Sequence, residues 1–146
     1  MLSKYTVIKP EKDNDINGTI HQYGNGFVKA NSKSNRFVVY GYGNDNPLNT
    51  SSTKNWVSDN NENEWYSVSF ISKSLFISHY SIQVQDIGCQ SCCRRFPNKW
   101  DFEGKDLKNN WVLLESVDGG GFNNLSNSQT ITRKIESSNI FKEFRT

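Results

Sequence analysis

No stretch of this chain approaches the roughly 18 to 20 consecutive apolar residues that a membrane-crossing helix needs. Metal-binding and redox residue types are nearly as scarce. The chain has two histidines, His21 and His79, and three cysteines, Cys89, Cys92 and Cys93, which sit in one short cluster. That clustering excludes a long-range disulfide framework. It also falls short of the four ligands, usually two separated pairs, of a structural zinc site. The Cys-x-x-Cys-Cys run reads as reduced thiols, with zinc binding and redox sensing as weaker alternatives. An excess of one charge sign is missing too: 17 basic residues face 15 acidic ones, for a formal net charge of +2. Such a balance gives no electrostatic footprint for nucleic acid. The densest basic cluster, Arg94-Arg95 with Lys99 nearby, reads as a solvated loop. The first ten residues lack the apolar segment of a secretory signal. With Met1 as initiator, the expectation is an intracellular protein without membrane insertion.

What the chain does have is aromatic side chains: four Trp, nine Phe and six Tyr within a composition only 34% hydrophobic. At 146 residues it reads as a single domain spanning 1–146, with 1–13 as an N-terminal extension or edge strand. A chain of this size buries roughly two-thirds of its unfolded surface. The abundant Asn and Ser favour turns over helix interiors. Strand signals occur at residues 5–9, 36–42, 66–70, 75–85, 99–104, 111–115, 130–135 and 140–144. In 75–85 the alternation assigns Phe76, Tyr80, Ile82 and Val84 to one face and His79, Ser81, Gln83 and Gln85 to the other. No repeat or heptad interrupts the pattern. Short strands joined by long polar loops predict an all-β, antiparallel sandwich or jelly roll.

The clearest signal lies in residues 98–111. Trp100, Phe102 and Gly104 alternate with Lys99, Asp101 and Glu103. Gly104 is expected to open a polar turn leading to Trp111, so the segment reads as a β-hairpin. Trp-x-Phe-Glu-Gly-x6-Trp resembles the hairpin of discoidin, or coagulation-factor C-type, domains. Further motifs extend the resemblance over residues 14–145: Asn17-Gly18-Thr19-Ile20, Asn46-Pro47 with Trp56-Val57-Ser58, the strand at 63–70, His79-Tyr80-Ser81-Ile82, and 141–145. The Asn-Gly motif is similar to that of intracellular protist members. The resemblance implies a galactose-binding-like jelly roll, with the tryptophans of the hairpin in the core. The family ends with one more strand, which this sequence lacks after Thr146. Residues 5–9, or a partner chain, are expected to fill the edge left open.

Catalytic readings find little support. His79 could serve as a base, but no nucleophile elbow accompanies it. Gly119-Gly120-Gly121 lacks the lysine of a phosphate loop. Asp101 and Glu103 could form a glycosidase pair, although an exposed hairpin face favours solvated carboxylates. No cofactor is expected. Asp45, Asp59, Glu62 and Glu64 could contribute to the structural calcium held by some relatives, without a spacing that identifies ligands.

In extracellular relatives, loop tips set ligand specificity. The matching loops here, 41–53, 88–97 and 119–127, carry Tyr42, Asp45, Leu48, Arg94, Arg95, Phe96, Phe122 and Leu125. Phe122 is either an exposed anchor or a residue folded back over the sandwich mouth. The expected function is a non-catalytic module binding protein partners in a larger intracellular assembly, in the cytoplasm or in a ciliary or microtubule-associated structure. The alternative is a carbohydrate-binding module that uses the loop mouth.

Overall fold

The computed structural model describes residues 28–33, 62–70, 74–84, 97–122 and 129–146. These form seven strands: β1 (Val28–Ser32), β2 (Tyr66–Phe70), β3 (His79–Val84), β4 (Lys99–Lys105), β5 (Trp111–Asp118), β6 (Gln129–Lys134) and β7 (Glu143–Arg145). The expected strands at 5–9 and 36–42 lie outside the described residues. Five strands make one antiparallel sheet in the order β1-β2-β7-β4-β5, while β3 and β6 pair in a second. The class is all-β, as expected.

The short strand β7 occupies the centre of the larger sheet. It pairs with β2 through Val68 opposite Phe144, and with β4 through Gly104 opposite the same Phe144. Phe144 therefore points from mid-sheet into a core with Phe102, Ile135 and Phe141. Phe102 and Phe144 lie parallel at 5.7 Å, and Phe141 meets Phe144 at 62°. Phe141 is wholly buried and forms a β-bridge with Leu75. Leu75 and Ile77 pack against this cluster, and Phe76 is exposed. The expectation that Phe76 shares a face with Tyr80 is therefore corrected. Strand geometry starts only at His79, so a period of two cannot be carried back across 76–78.

The 99–118 hairpin forms where expected, with Trp100, Phe102 and Gly104 buried. Two details differ. Gly104 lies inside β4 rather than at the turn. A Cβ there would come 2.6 Å from the Phe141 ring, so the glycine answers a close approach. The turn itself is 106–110, where Asp106 Oδ1 accepts the backbone N–H groups of Lys108 and Asn110 at 2.9 Å each. The Asn110 bond, with that of Lys108 behind it, holds the Asp106 carboxyl below its ordinary pKa. Asn109 takes the left-handed conformation that Asn tolerates, with φ 67°.

The second difference is a bulge. Phe102 faces Glu115, but Glu103 faces Leu113, which leaves Leu114 as the extra residue. A bulge reverses the alternation beyond it. Val112 and Leu114 turn to the core, while Trp111 and Leu113 turn outward. The expectation that both hairpin tryptophans are core residues therefore holds for Trp100 alone. Ser67 departs in the opposite direction: expected on the polar face of β2, it is almost fully buried between Asn31 and Arg145 in the register. Longer cross-strand neighbours cover this small side chain.

Gly104→Ala should destabilise the protein by about 1–3 kcal/mol, because the added methyl must displace the Phe141 ring from a packed core. Urea denaturation measures the change, and wild-type stability would contradict the packing described.

Candidate functional site

At the open end of the β4–β5 hairpin, the described residues just before β4 meet those just after β5. β3 ends at Val84 opposite Gln129, which opens β6, while Lys99 opens β4 opposite Asp118, which closes β5. The segments leading into β4 and out of β5 thus meet at one end of the sandwich. The backbone N–H of Gly120 donates to Asn98 O at 2.9 Å across this junction. Gly120 lies against the Trp100 indole, where a Cβ would approach Cζ3 to 2.1 Å. Phe122 follows, half-buried, with its ring 6.2 Å from that of Trp100 and tilted by 46°. It leans back on the mouth of the sandwich. Tyr42, Asp45, Arg94, Arg95 and Phe96 lie outside the described residues, as do all three cysteines and Asp59.

Trp100 is itself fixed by a polar chain that crosses between the sheets. Its Nε1–H donates to the Tyr80 hydroxyl at 2.8 Å, and that hydroxyl donates to Glu115 Oε2 at 2.8 Å. Arg133 holds the other carboxylate oxygen through Nε at 2.9 Å and through a second guanidinium nitrogen. The Tyr80 ring stacks on Phe102 at 3.9 Å. Burial pushes the Tyr80 hydroxyl up to about 12, against a lowering by its bond from Trp100. The Arg133 hydrogen bond holds the Glu115 carboxyl below its ordinary value, and the Tyr80 bond adds to this. The bulge makes the chain feasible, because it keeps Glu115 on the core side of β5.

A second concavity lies on the outer face of the larger sheet. It is a half-open groove of about 390 Å³, lined by Lys29, Asn31, Trp65, Ser69, Lys105, Trp111, Glu143 and Arg145. Lys105 pairs with Glu143 at 3.1 Å, and Arg145 pairs with Glu103. Arg145 and Lys105 also stand over the Trp111 ring, at 4.0 and 4.8 Å from its centroid. Glu103 is therefore engaged with Arg145 rather than freely solvated, and Asp101 accepts a bond from Ser116 Oγ at 2.6 Å. His79 is exposed, with Nδ1 beside Ser78 Oγ. No group of three or more His, Cys, Asp or Glu that could hold a metal occurs among the described residues.

No protein-family model matches the chain, and no curated protein does. Among solved structures, it is similar to CpGH89CBM32-5 from Clostridium perfringens, in complex with GalNAc-β-1,3-galactose. The TM-score is 0.60 over 81% of each chain, at 12% identity. The all-β, antiparallel fold matches the β-sandwich of that CBM32 module. At this identity the likeness concerns architecture, and it agrees with the galactose-binding-like, discoidin-type fold expected from the hairpin. Phe122 was among the expected site residues, whereas Trp65 and Trp111, which line the outer concavity, were not. The bulge that brings Trp111 to that face leaves no mark in a pattern of alternation.

The folded Glu115 carboxyl titrates below its unfolded counterpart, so its contribution is complete above the unfolded pKa and lost as pH falls through the folded value. Melting temperature should drop on that acid side, and Glu115→Gln should shrink the drop while lowering the melting temperature at neutral pH. Tyr80→Phe leaves the Trp100 N–H and Glu115 each short of a partner, and should cost about 1–3 kcal/mol in urea denaturation.

Proposed function

We propose that the protein is a non-catalytic carbohydrate-binding module whose ligand sits at the loop mouth above Trp100. The observation that carries this reading is the placement of Phe122. A half-exposed aromatic ring, backed by a buried indole and a glycine that admits close approach, forms a firm apolar platform at the meeting point of two loops. Pockets for small polar ligands pair such a surface with a few polar groups. Arg94 and Arg95, close before Pro97 in the chain, are suited to supply them as hydrogen-bond donors. The similar Clostridium perfringens module, solved with GalNAc-β-1,3-galactose, supports a galactose-type sugar as the ligand class.

A protein-binding role is the second reading, favoured by one feature. Among the described residues β5 ends the order of the larger sheet, and Leu113 on its outer face is 56% exposed. An edge strand with an exposed leucine suits a protein partner that extends the sheet. The intracellular assembly implied by the family resemblance belongs to this reading.

Glycan-array screening followed by calorimetry separates the two. Binding to galactose- or N-acetylgalactosamine-terminated glycans is expected, with Kd roughly micromolar to millimolar. Phe122→Ala or Arg94→Ala should weaken it about tenfold or more, equivalent to at least 1.4 kcal/mol. Absence of glycan binding, together with a stoichiometric co-purifying protein lost on Leu113→Glu, would favour the second reading.

A further inference from the structure

The outer cavity is far from the loop mouth in its construction. It sits on the face that β1, β2, β7, β4 and β5 turn away from the core. Strand alternation supplies its lining: Trp65 and Ser69 from in and around β2, Lys29 and Asn31 from β1, Lys105 from β4, Trp111 from β5, and Glu143 and Arg145 from β7. A volume of 390 Å³ lies within the roughly 300–1,000 Å³ range of small-molecule sites.

Its polar groups are unevenly used. Lys105 and Glu143 neutralise each other, and Arg145 is committed to Glu103 and to the face of Trp111. Lys29 is exposed, and its ammonium has no anionic partner among the described residues. The side-chain amide nitrogen of Asn31 and the indole N–H groups of Trp65 and Trp111 likewise make no hydrogen bond among the described residues. Asn31 spends only its oxygen, on the Ser32 N–H at 2.9 Å. Between Asn31 and Arg145 in the register lies Ser67, 1% exposed, whose hydroxyl has no hydrogen-bond partner among the described residues. The unspent groups are thus mainly donors, one of them charged, beside two half-buried indoles. Donors call for an acceptor-rich ligand, a lone ammonium for an anionic one, and indoles for one with an apolar face.

We infer that this outer face is a second binding site, one that takes an anionic sugar unit carrying a carboxylate or sulfate. Lys29 pairs with the acidic group, while Asn31 and the indole N–H groups donate to ring and hydroxyl oxygens. Trp65, which makes no ring contact among the described residues, offers its face to the sugar ring. Arg145 already covers one approach to Trp111, so that indole acts as a wall and donor rather than a stacking platform.

The indole N–H signals of the full, 15N-labelled chain test the site directly, because Trp100 reports on the mouth while Trp65 and Trp111 report on the outer face. Titration with a glucuronate-bearing disaccharide and with a sulfated disaccharide should shift the Trp65 and Trp111 signals saturably, with Kd roughly millimolar. Lys29→Glu, a change on an exposed strand position that should leave the melting temperature unaltered, should weaken that response about tenfold or more. Response to only one of the two disaccharides identifies the acidic group and still supports the site. Three results would overturn it: unmoved Trp65 and Trp111 signals, equal shifts with neutral lactose, or equal shifts with sodium sulfate or an acidic peptide. Loss of galactose binding at the mouth leaves this readout untouched.

Discussion

The hydroxyl and ring of Tyr80 are the junction on which the described fold depends. The smaller sheet presents this one residue to both the apolar and the polar parts of the larger sheet. Its ring lies flat on Phe102, and its hydroxyl connects Trp100 to the Glu115–Arg133 pair. Stacking alone would leave the Trp100 indole N–H without a partner, and the polar chain alone would leave Phe102 without its stacked ring. Together they fix the distance and register between the layers. The position of Trp100 follows, then that of Gly120 and Phe122 above it. The geometry of the mouth is thus inherited from an interaction made in the interior.

A single irregularity divides the labour of the hairpin. Up to the bulge, β5 turns Val112 and Leu114 inward; beyond it, Glu115 and Val117 take that side. One extra residue therefore produces both the inter-sheet ion pair and the outward tryptophan of the second cavity. One candidate site lies at the open end of the hairpin and the other on its outer face, each with a tryptophan from that hairpin.

The sequence displayed the strands with strong period-two patterns, and the hairpin above all, because Trp100 and Phe102 need burial while Lys99 and Asp101 need water. It did not display features set by approach between distant segments. Gly104 looked like a turn residue because a glycine meant for a turn and one meant to admit Phe141 are identical in sequence. Ser67 looked exposed because a hydroxyl residue on an alternating strand gives no sign of the longer side chains beside it. Phe76 looked buried because a strand was carried past its true start at His79. Among the candidate site residues, Phe122 was legible as an aromatic ring among glycines and asparagines. Trp65 and Trp111 were not, since their common face depends on the pairing of four strands and on a bulge.

The placement of β7 has a consequence for how the chain comes together. This three-residue strand joins the β1–β2 ribbon to the β4–β5 hairpin, and its partners in β2 lie more than seventy positions earlier in the sequence. The β4–β5 hairpin can form by local pairing, while β1 and β2 must meet across the long segment between them; among the described residues, no strand pairing joins these two units until residues 143–145 arrive. Loop-closure entropy must be met before that insertion yields any return, which places the barrier late and makes folding slow for a chain of this size. Among the described residues, the β2 and β4 edges that β7 covers stay open until residues 143–145 are available. During that interval the exposed edges, rather than the finished surface, are the part of the molecule most open to mispairing.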